Sequence, residues 1–264
     1  MHRKPNLLVV ALVFLLASLA VPSRADEIAD RGRDIFKKNQ HAVVTVPVVL
    51  KVSSGSSSRE FKQDIIGTVV DPSGLTVLAL SSCDPTEMRR LLSPDYKVES
   101  EISDVRILLD DGTELPAEIV LRDKDLDLAF IRPKTKPASP MAAVDLSKSA
   151  QAQVLDQVIT LNRLNKAASR AYAASVERIT GIVQRPRTYY IPDSMMTATA
   201  QGSPAFLLDG RILGVFVMRA VGSTGGAPDV TSIILPAEDI LKAAKQAPEV
   251  KADSEKKEDP KESK

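Results

Sequence analysis

Few side chains in this sequence are suited to catalysis, and their scarcity narrows the chemistry. The chain holds two histidines, His2 and His41, and a single cysteine, Cys83. A hydroxyl or thiol nucleophile needs a base within hydrogen-bond reach to take its proton. His2 lies in a segment that reads as a leader, which leaves His41 as the imidazole of the mature chain. Ser203 follows Gly202 and carries a hydroxyl, but no base stands near it in the sequence. Cys83 has Arg89 and Arg90 as its nearby cations, too little to favour a thiolate, so a small buried hydrophobe is its plainer role. With so few His and Cys ligands, no metal is expected, and no cofactor either. The acids Asp110-Asp111 and Asp123 to Asp127 offer carboxylate pairs of the kind glycosidases use, yet they sit at turns, where Asx residues serve the backbone. The glycine-rich stretch 222–226 is not at a strand-to-helix turn and reads as a loop, not a phosphate cradle.

Length and composition set the frame for those residues. The 264 residues are 44% apolar, enough for a proper core, and suit one large domain or two small ones. Lys plus Arg (35) nearly cancels Asp plus Glu (34), with no basic stripe, so nucleic acid is set aside as a partner. Residues 1–25 read as a secretory signal: His2-Arg3-Lys4, an apolar run from Leu7 to Val21, and the small-x-small exit Ser23-Arg24-Ala25. No second apolar run is long enough to span a bilayer, so no stable membrane insertion is expected after cleavage. The expected location is the periplasm or the exterior.

The elements that must position the chemistry are mostly strands. Residues 26–41 form a charged lead-in with a short surface helix. Valine-rich residues 42–52 read as a strand and the serine-rich stretch 53–58 as a flexible loop. Residues 61–70 and 75–80 pair across Asp71-Pro72-Ser73-Gly74, where Pro presets φ and Gly takes a positive φ. Residues 85–92 suit a short helix, and the stretch on to Ser103 reads as an insertion. Residues 105–109 and 114–121 form an Asp-Gly hairpin. After the Pro- and Lys-rich connector 134–140 come strands at 154–161, 177–183, 196–206, 211–218 and 231–235. Pro236 opens a helix at its first position, with acids early and lysines late. The tail 248–264 is charged, without apolar periodicity, and reads as disordered. About a dozen short strands between turns describe an all-β sandwich or barrel.

Three blocks of this sequence resemble the trypsin-like serine proteases of the HtrA type. In the first, TATAQGSPAFLLDGRILGVF (197–216), Gly202-Ser203-Pro204, Asp209-Gly210 and Leu213-Gly214 fit the segment around the family's nucleophile, with Asp193 on the preceding loop. The second, GTVVDPSGLTVLALSS (67–82), is similar to the hairpin leading to the catalytic histidine. The third, DKDLDLAFI (123–131), is similar to the loop delivering the catalytic aspartate. The resemblance implies two six-stranded β-barrels of the trypsin type with a short C-terminal helix. It implies a protease-like domain over 42–247: a first barrel over 42–133, a linker over 134–145, a second barrel over 146–236 and the helix over 236–247. No room remains for the PDZ module that often follows.

The same alignment places Ser81 at the histidine position, Asp127 at the aspartate position and Gln201 at the nucleophile position. Thr199 stands where a glycine helps form the oxyanion hole, and a β-branched residue resists glycine's backbone angles. Ser203 matches the small residue beside the nucleophile, and His41 is far in sequence from Ser81. Catalysis by hydroxyl, imidazole and carboxylate therefore lacks two of its three parts, and Asp127 becomes a carboxylate that hydrogen-bonds its own loop. The expected protein is a pseudoprotease that binds an extended peptide or protein partner. The family's substrates pair with a strand edge after the nucleophile, here Gly214, Val215, Phe216, Val217 and Met218, with Met195, Met196 and Met218 walling the pocket. The alternative is an active serine endopeptidase with an atypical site; a structural part of an exported assembly is a third class.

Overall fold

The computed structural model describes residues 24–54, 57–86, 99–193, 200–221 and 229–249. Most of the leader, the first part of the proposed insertion (87–98), the glycine-rich loop 222–226 and the tail from residue 250 lie outside them.

The chain begins with helix α1 (Arg24–Asn39), longer than the short lead-in expected from sequence, and a 3-10 turn (Gln40–Ala42). Most of the helix is exposed, but Ile35 is buried against the shared core. Twelve strands follow among the described residues. The first six are β1 (Val43–Ser54), β2 (Ser57–Val69), β3 (Thr76–Ala79), β4 (Glu99–Leu108), β5 (Glu114–Asp123) and β6 (Leu128–Pro133). They close antiparallel in the order β1-β2-β3-β6-β5-β4. The second six are β7 (Gln157–Arg163), β8 (Tyr172–Val183), β9 (Tyr189–Pro192), β10 (Pro204–Leu207), β11 (Ile212–Val221) and β12 (Asp229–Pro236). They close in the order β10-β11-β12-β9-β8-β7.

Local chemistry explains much of this. β-branched residues dominate β1, and Pro47 falls where the β1–β4 register has a gap between Thr45 opposite Leu108 and Val48 opposite Val105, so its missing N–H breaks no ladder bond there. The β2–β3 turn is closed by the Gly74 N–H on the Asp71 carbonyl at 2.9 Å, with Gly74 at φ 95°. The buried apolar side chains among the described residues form three groups. One lies within the first barrel around Val46, Leu78 and Ile131, and another within the second around Val158, Leu213 and Phe216. The largest joins the barrels, from Val77 and Phe130 to Val215 and Leu235.

Several local expectations are corrected. The serine-rich stretch 53–58 is largely strand, because Ser53 pairs with Ser58 and Ser54 with Ser57 and only residues 55–56 remain between β1 and β2. Residues 99–103, expected within an insertion, belong to β4 and pair with β1. Residues 200–203 form a turn, so β10 starts at Pro204 instead of within an extended strand over 196–206. The short strand β9 was not anticipated. Pro236 ends β12 and caps helix α3 (Ala237–Ala244) instead of occupying its first position. Its φ of −57° fits a helix, but its ψ of 140° is extended because the residue still pairs with Gly214.

Candidate functional site

Strand β3 runs directly into a single helical turn, α2 (Leu80–Cys83), which carries Ser81. Asp127 stands one residue before β6, in a left-handed conformation at φ 56° that Asp tolerates better than most residues. The Asp123 carboxylate accepts from the N–H groups of Asp125 and Leu126, each at 3.0 Å, and so shapes the loop that delivers Asp127. The backbone N–H of Ser81 donates to Asp127 Oδ1 at 2.7 Å and its hydroxyl to Oδ2 at 2.8 Å. Met218, on β11 of the other barrel, donates its N–H to the same Oδ2 at 2.8 Å. One carboxylate thus ties two adjacent strand ends of the first barrel to the second. Burial raises the Asp127 pKa, against the opposing pull of the Met218 and Ser81 bonds.

Gln201 sits in the turn before β10 and is 2% exposed. The turn is locked to β11: the Gly202 N–H donates to the Phe216 carbonyl at 2.8 Å, and the Phe216 N–H to the Ser203 carbonyl at 2.9 Å. Thr68 of the first barrel donates its hydroxyl to the Gly202 carbonyl at 2.7 Å. Gly202 holds φ 91°, and an added Cβ would lie 2.2 Å from the Ile66 carbonyl oxygen. The Gln201 side chain turns inward, donating through Nε2 to Ser232 Oγ at 3.0 Å, while its Oε1 is buried without a partner. Ser232 on β12 is opposite Met218 on β11. Ser81 and Asp127 are thus in direct contact, and Gln201 is joined to them through Ser232 and Met218.

A cleft of about 100 Å3 opens beside this junction, walled by Ser81, Asp127, Tyr189, Met218 and Arg219. Gln201 is not among its walls. Ser203 is fully buried and its hydroxyl lacks a hydrogen-bond partner, which removes it from any substrate. Cys83 is buried, donates to the Ala79 carbonyl at 3.2 Å, and burial pushes its thiol pKa up to about 12. Thr199, Met195 and Met196 lie outside the described residues.

The strand expected to receive a partner is corrected in its inner part. Gly214, Val215, Phe216 and Val217 are buried. β11 is a middle strand there, with Val215 opposite Pro204 on one side and Leu235 on the other. Barrel closure consumes that edge. β10 reaches no further than Val215, so the side of β11 facing the cleft opens only from Met218 outward, where residues 218–220 are partly exposed.

His41 is not among the walls of the cleft. Its Nδ1 is 2.7 Å from Asp110 Oδ2 and 3.1 Å from the Tyr172 hydroxyl. Tyr172 also donates to Asp110, and Arg163 reaches that carboxylate at 3.3 Å while its guanidinium lies 3.9 Å from the Tyr172 ring centroid. Burial acts to raise the Asp110 pKa, but the Tyr172 and His41 hydrogen bonds and the Arg163 charge outweigh it and hold the group below the ordinary carboxylate value. Sequence reasoning did not bring these four residues together, since they come from the lead-in, the β4–β5 turn, β7 and β8. They fasten the two barrels, and the hydroxyl beside His41 is that of Tyr172, which donates to Asp110. Among the described residues, no three His, Cys, Asp or Glu side chains gather to hold a metal ion.

Two closed six-stranded antiparallel barrels, with an aspartate from the first meeting a strand of the second at a cleft, define the two-barrel architecture of the trypsin fold. Residues 66–215, more than half of the 264, match the model of the trypsin-like peptidase domain, and the chain belongs to that family. No curated protein matches the chain.

Proposed function

We propose that this protein is an exported, catalytically inactive member of the trypsin-like family, of the HtrA type, which holds an extended peptide or protein partner without cleaving it. The observation that carries this reading is the Ser81–Asp127 pair. The aspartate that would orient an imidazole is bonded by the Ser81 hydroxyl at 2.8 Å, and a hydroxyl cannot serve as the base. At the nucleophile position the Gln201 amide is neither nucleophilic nor basic, and it is bonded to Ser232. Peptide capture needs only free backbone groups on a strand edge and a neighbouring pocket, so it can outlast catalysis. The outer part of β11 beyond the Met218 N–H, which Asp127 already holds, and the cleft beside it offer these. The signal-like residues 1–25 support a periplasmic or extracellular setting.

The test combines two measurements on the purified protein. Casein and fluorogenic peptides should remain uncut and a fluorophosphonate probe should give no labelling, while an extended apolar peptide library should shift backbone amides of residues 218–221. Labelling lost on Ser203→Ala would establish the active endopeptidase instead. No amide shift at millimolar peptide would end the binding assignment.

A further inference from the structure

The β1–β2 hairpin extends well beyond the first barrel. β2 pairs with β1 from Ser57 opposite Ser54 to Thr68 opposite Val43. On its other side β3 joins it only from Gly67. Among the described residues no strand pairs with that side of residues 57–66. The inner end of this edge is occupied: Asp64 takes Arg170 at 2.8 Å and Lys166 at 3.7 Å, and Gln63 donates to the Ser82 carbonyl at 2.8 Å. The outer end is exposed and carries Phe61 at 52% exposure. A bare strand edge with an exposed aromatic is a template for another strand.

Symmetry selects the occupant's register. Two copies of one strand pairing antiparallel about a two-fold axis place one residue opposite itself, and its neighbours pair reciprocally. An axis at Arg59 opposes two guanidiniums, and one at Glu60 opposes two carboxylates. An axis at Lys62 opposes two ammoniums and sets Glu60 against Asp64. An axis at Ser58 leaves Phe61 without an apolar partner. An axis at Gln63 would run the copy's Arg59 opposite Gly67, where β3 already pairs. An axis at Phe61 stacks ring against ring, sets Glu60 opposite Lys62 on both sides, and sets Arg59 opposite Gln63.

The side of the sheet that carries Phe61 suits that register. Phe61 is opposite Leu50 on β1, and Leu50 is opposite Ile102 on β4. Two copies joined at Phe61 would continue this apolar row across six strands. We propose that the protein forms a two-fold dimer by antiparallel pairing of residues 59–63 of β2, with Phe61 on the axis. Glu60, Lys62 and Phe61 select this register, because each alternative opposes like charges, leaves the ring without an apolar partner or runs onto the segment that β3 pairs.

A cysteine at the axis residue tests this directly. Opposite Cβ atoms in an antiparallel pair lie about 4.5–5.5 Å apart, close enough for a disulfide after small adjustment. Under mild oxidation Phe61→Cys should give a covalent dimer, with no competition from Cys83, which is buried. Arg59→Cys should not, since its copy lies roughly 13 Å along the strands. Glu60→Lys and Lys62→Glu, each alone, should weaken association at least tenfold by sedimentation, and the two together should restore it. Both positions are exposed, but Glu60 also faces Lys51 across the β1–β2 hairpin, so circular dichroism and unfolding midpoints of each variant separate an effect on association from one on the hairpin itself. A wild type that stays monomeric at about 100 µM overturns the proposal. Phe61→Cys that cross-links no better than Arg59→Cys also overturns it, as does a double charge swap that behaves like the single changes.

Discussion

Replacing Asp127 tests whether this aspartate now serves as a structural clamp. Its carboxylate accepts from the Ser81 N–H at 2.7 Å, the Ser81 hydroxyl at 2.8 Å and the Met218 N–H at 2.8 Å. Asp127→Ala leaves two backbone donors without an acceptor, at about 1–3 kcal/mol each, while the hydroxyl can rotate to another partner. The left-handed φ adds about 1 kcal/mol once the residue is Ala. Releasing a partly buried charge and admitting water to the cleft offset some of this, so the net loss should be about 3 kcal/mol. Asp127→Asn keeps one acceptor for the Ser81 N–H, can donate to the Ser81 hydroxyl and tolerates the same φ. It loses the Met218 bond and should cost about 1–2 kcal/mol. Urea unfolding at neutral pH reads both values. Burial raises the aspartate's pKa in the folded state, so the folded protein keeps this proton to higher pH than the unfolded chain does. Its contribution therefore weakens as pH rises from the ordinary carboxylate value through the raised one. Asn does not titrate, so the gap between wild type and Asp127→Asn should narrow with rising pH across that window. A gap that widens would show that the three hydrogen bonds outweigh burial at this carboxylate, and an alanine variant as stable as the wild type would refute the clamp.

Three further outcomes follow from the same geometry. Gln201→Ser should leave fluorophosphonate labelling at background, because a hydroxyl at that position still lacks a base while Ser81 holds Asp127. Gly202→Ala should cost about 3 kcal/mol or more in thermal or urea unfolding, since its Cβ would press on the Ile66 carbonyl oxygen at φ 91°. The Cys83 thiol, pushed up to about 12, should resist alkylation at pH 8 in the folded protein and react within minutes in urea; rapid labelling without urea would contradict its burial.

How much of this was legible in the sequence depends on the range of the forces involved. The turn at residues 71–74, the Asp123 loop and the valine-rich strands are set by neighbours a few residues apart, and they appear where the pattern put them. The ends of elements were less legible. Pro236 is compatible with a helix, yet it stays extended because β12 still pairs it with Gly214. The serine-rich stretch 53–58 lacks strand character by composition, yet pairing with the other half of its own hairpin extends it.

The amino-acid sequence by itself determined an all-β class, through alternation and turns, which are local properties of the chain. Its resemblance to the trypsin-like family implied the two barrels and put Ser81, Asp127 and Gln201 at the site, with His41 far from them in sequence. Only the tertiary structure decided what these residues touch. Met218 reaches Asp127 across 91 residues, Thr68 reaches Gly202 across 134, and Gln201 turns to Ser232 because β12 lies beside β11. It likewise buried Gly214 to Val217 within a closed barrel and left residues 57–66 of β2 without a neighbour on their outer side among the described residues. The reason is that hydrogen-bond partners and burial are settled by which distant segments meet when the barrels close, and a strand's composition does not say which of its two edges will be taken.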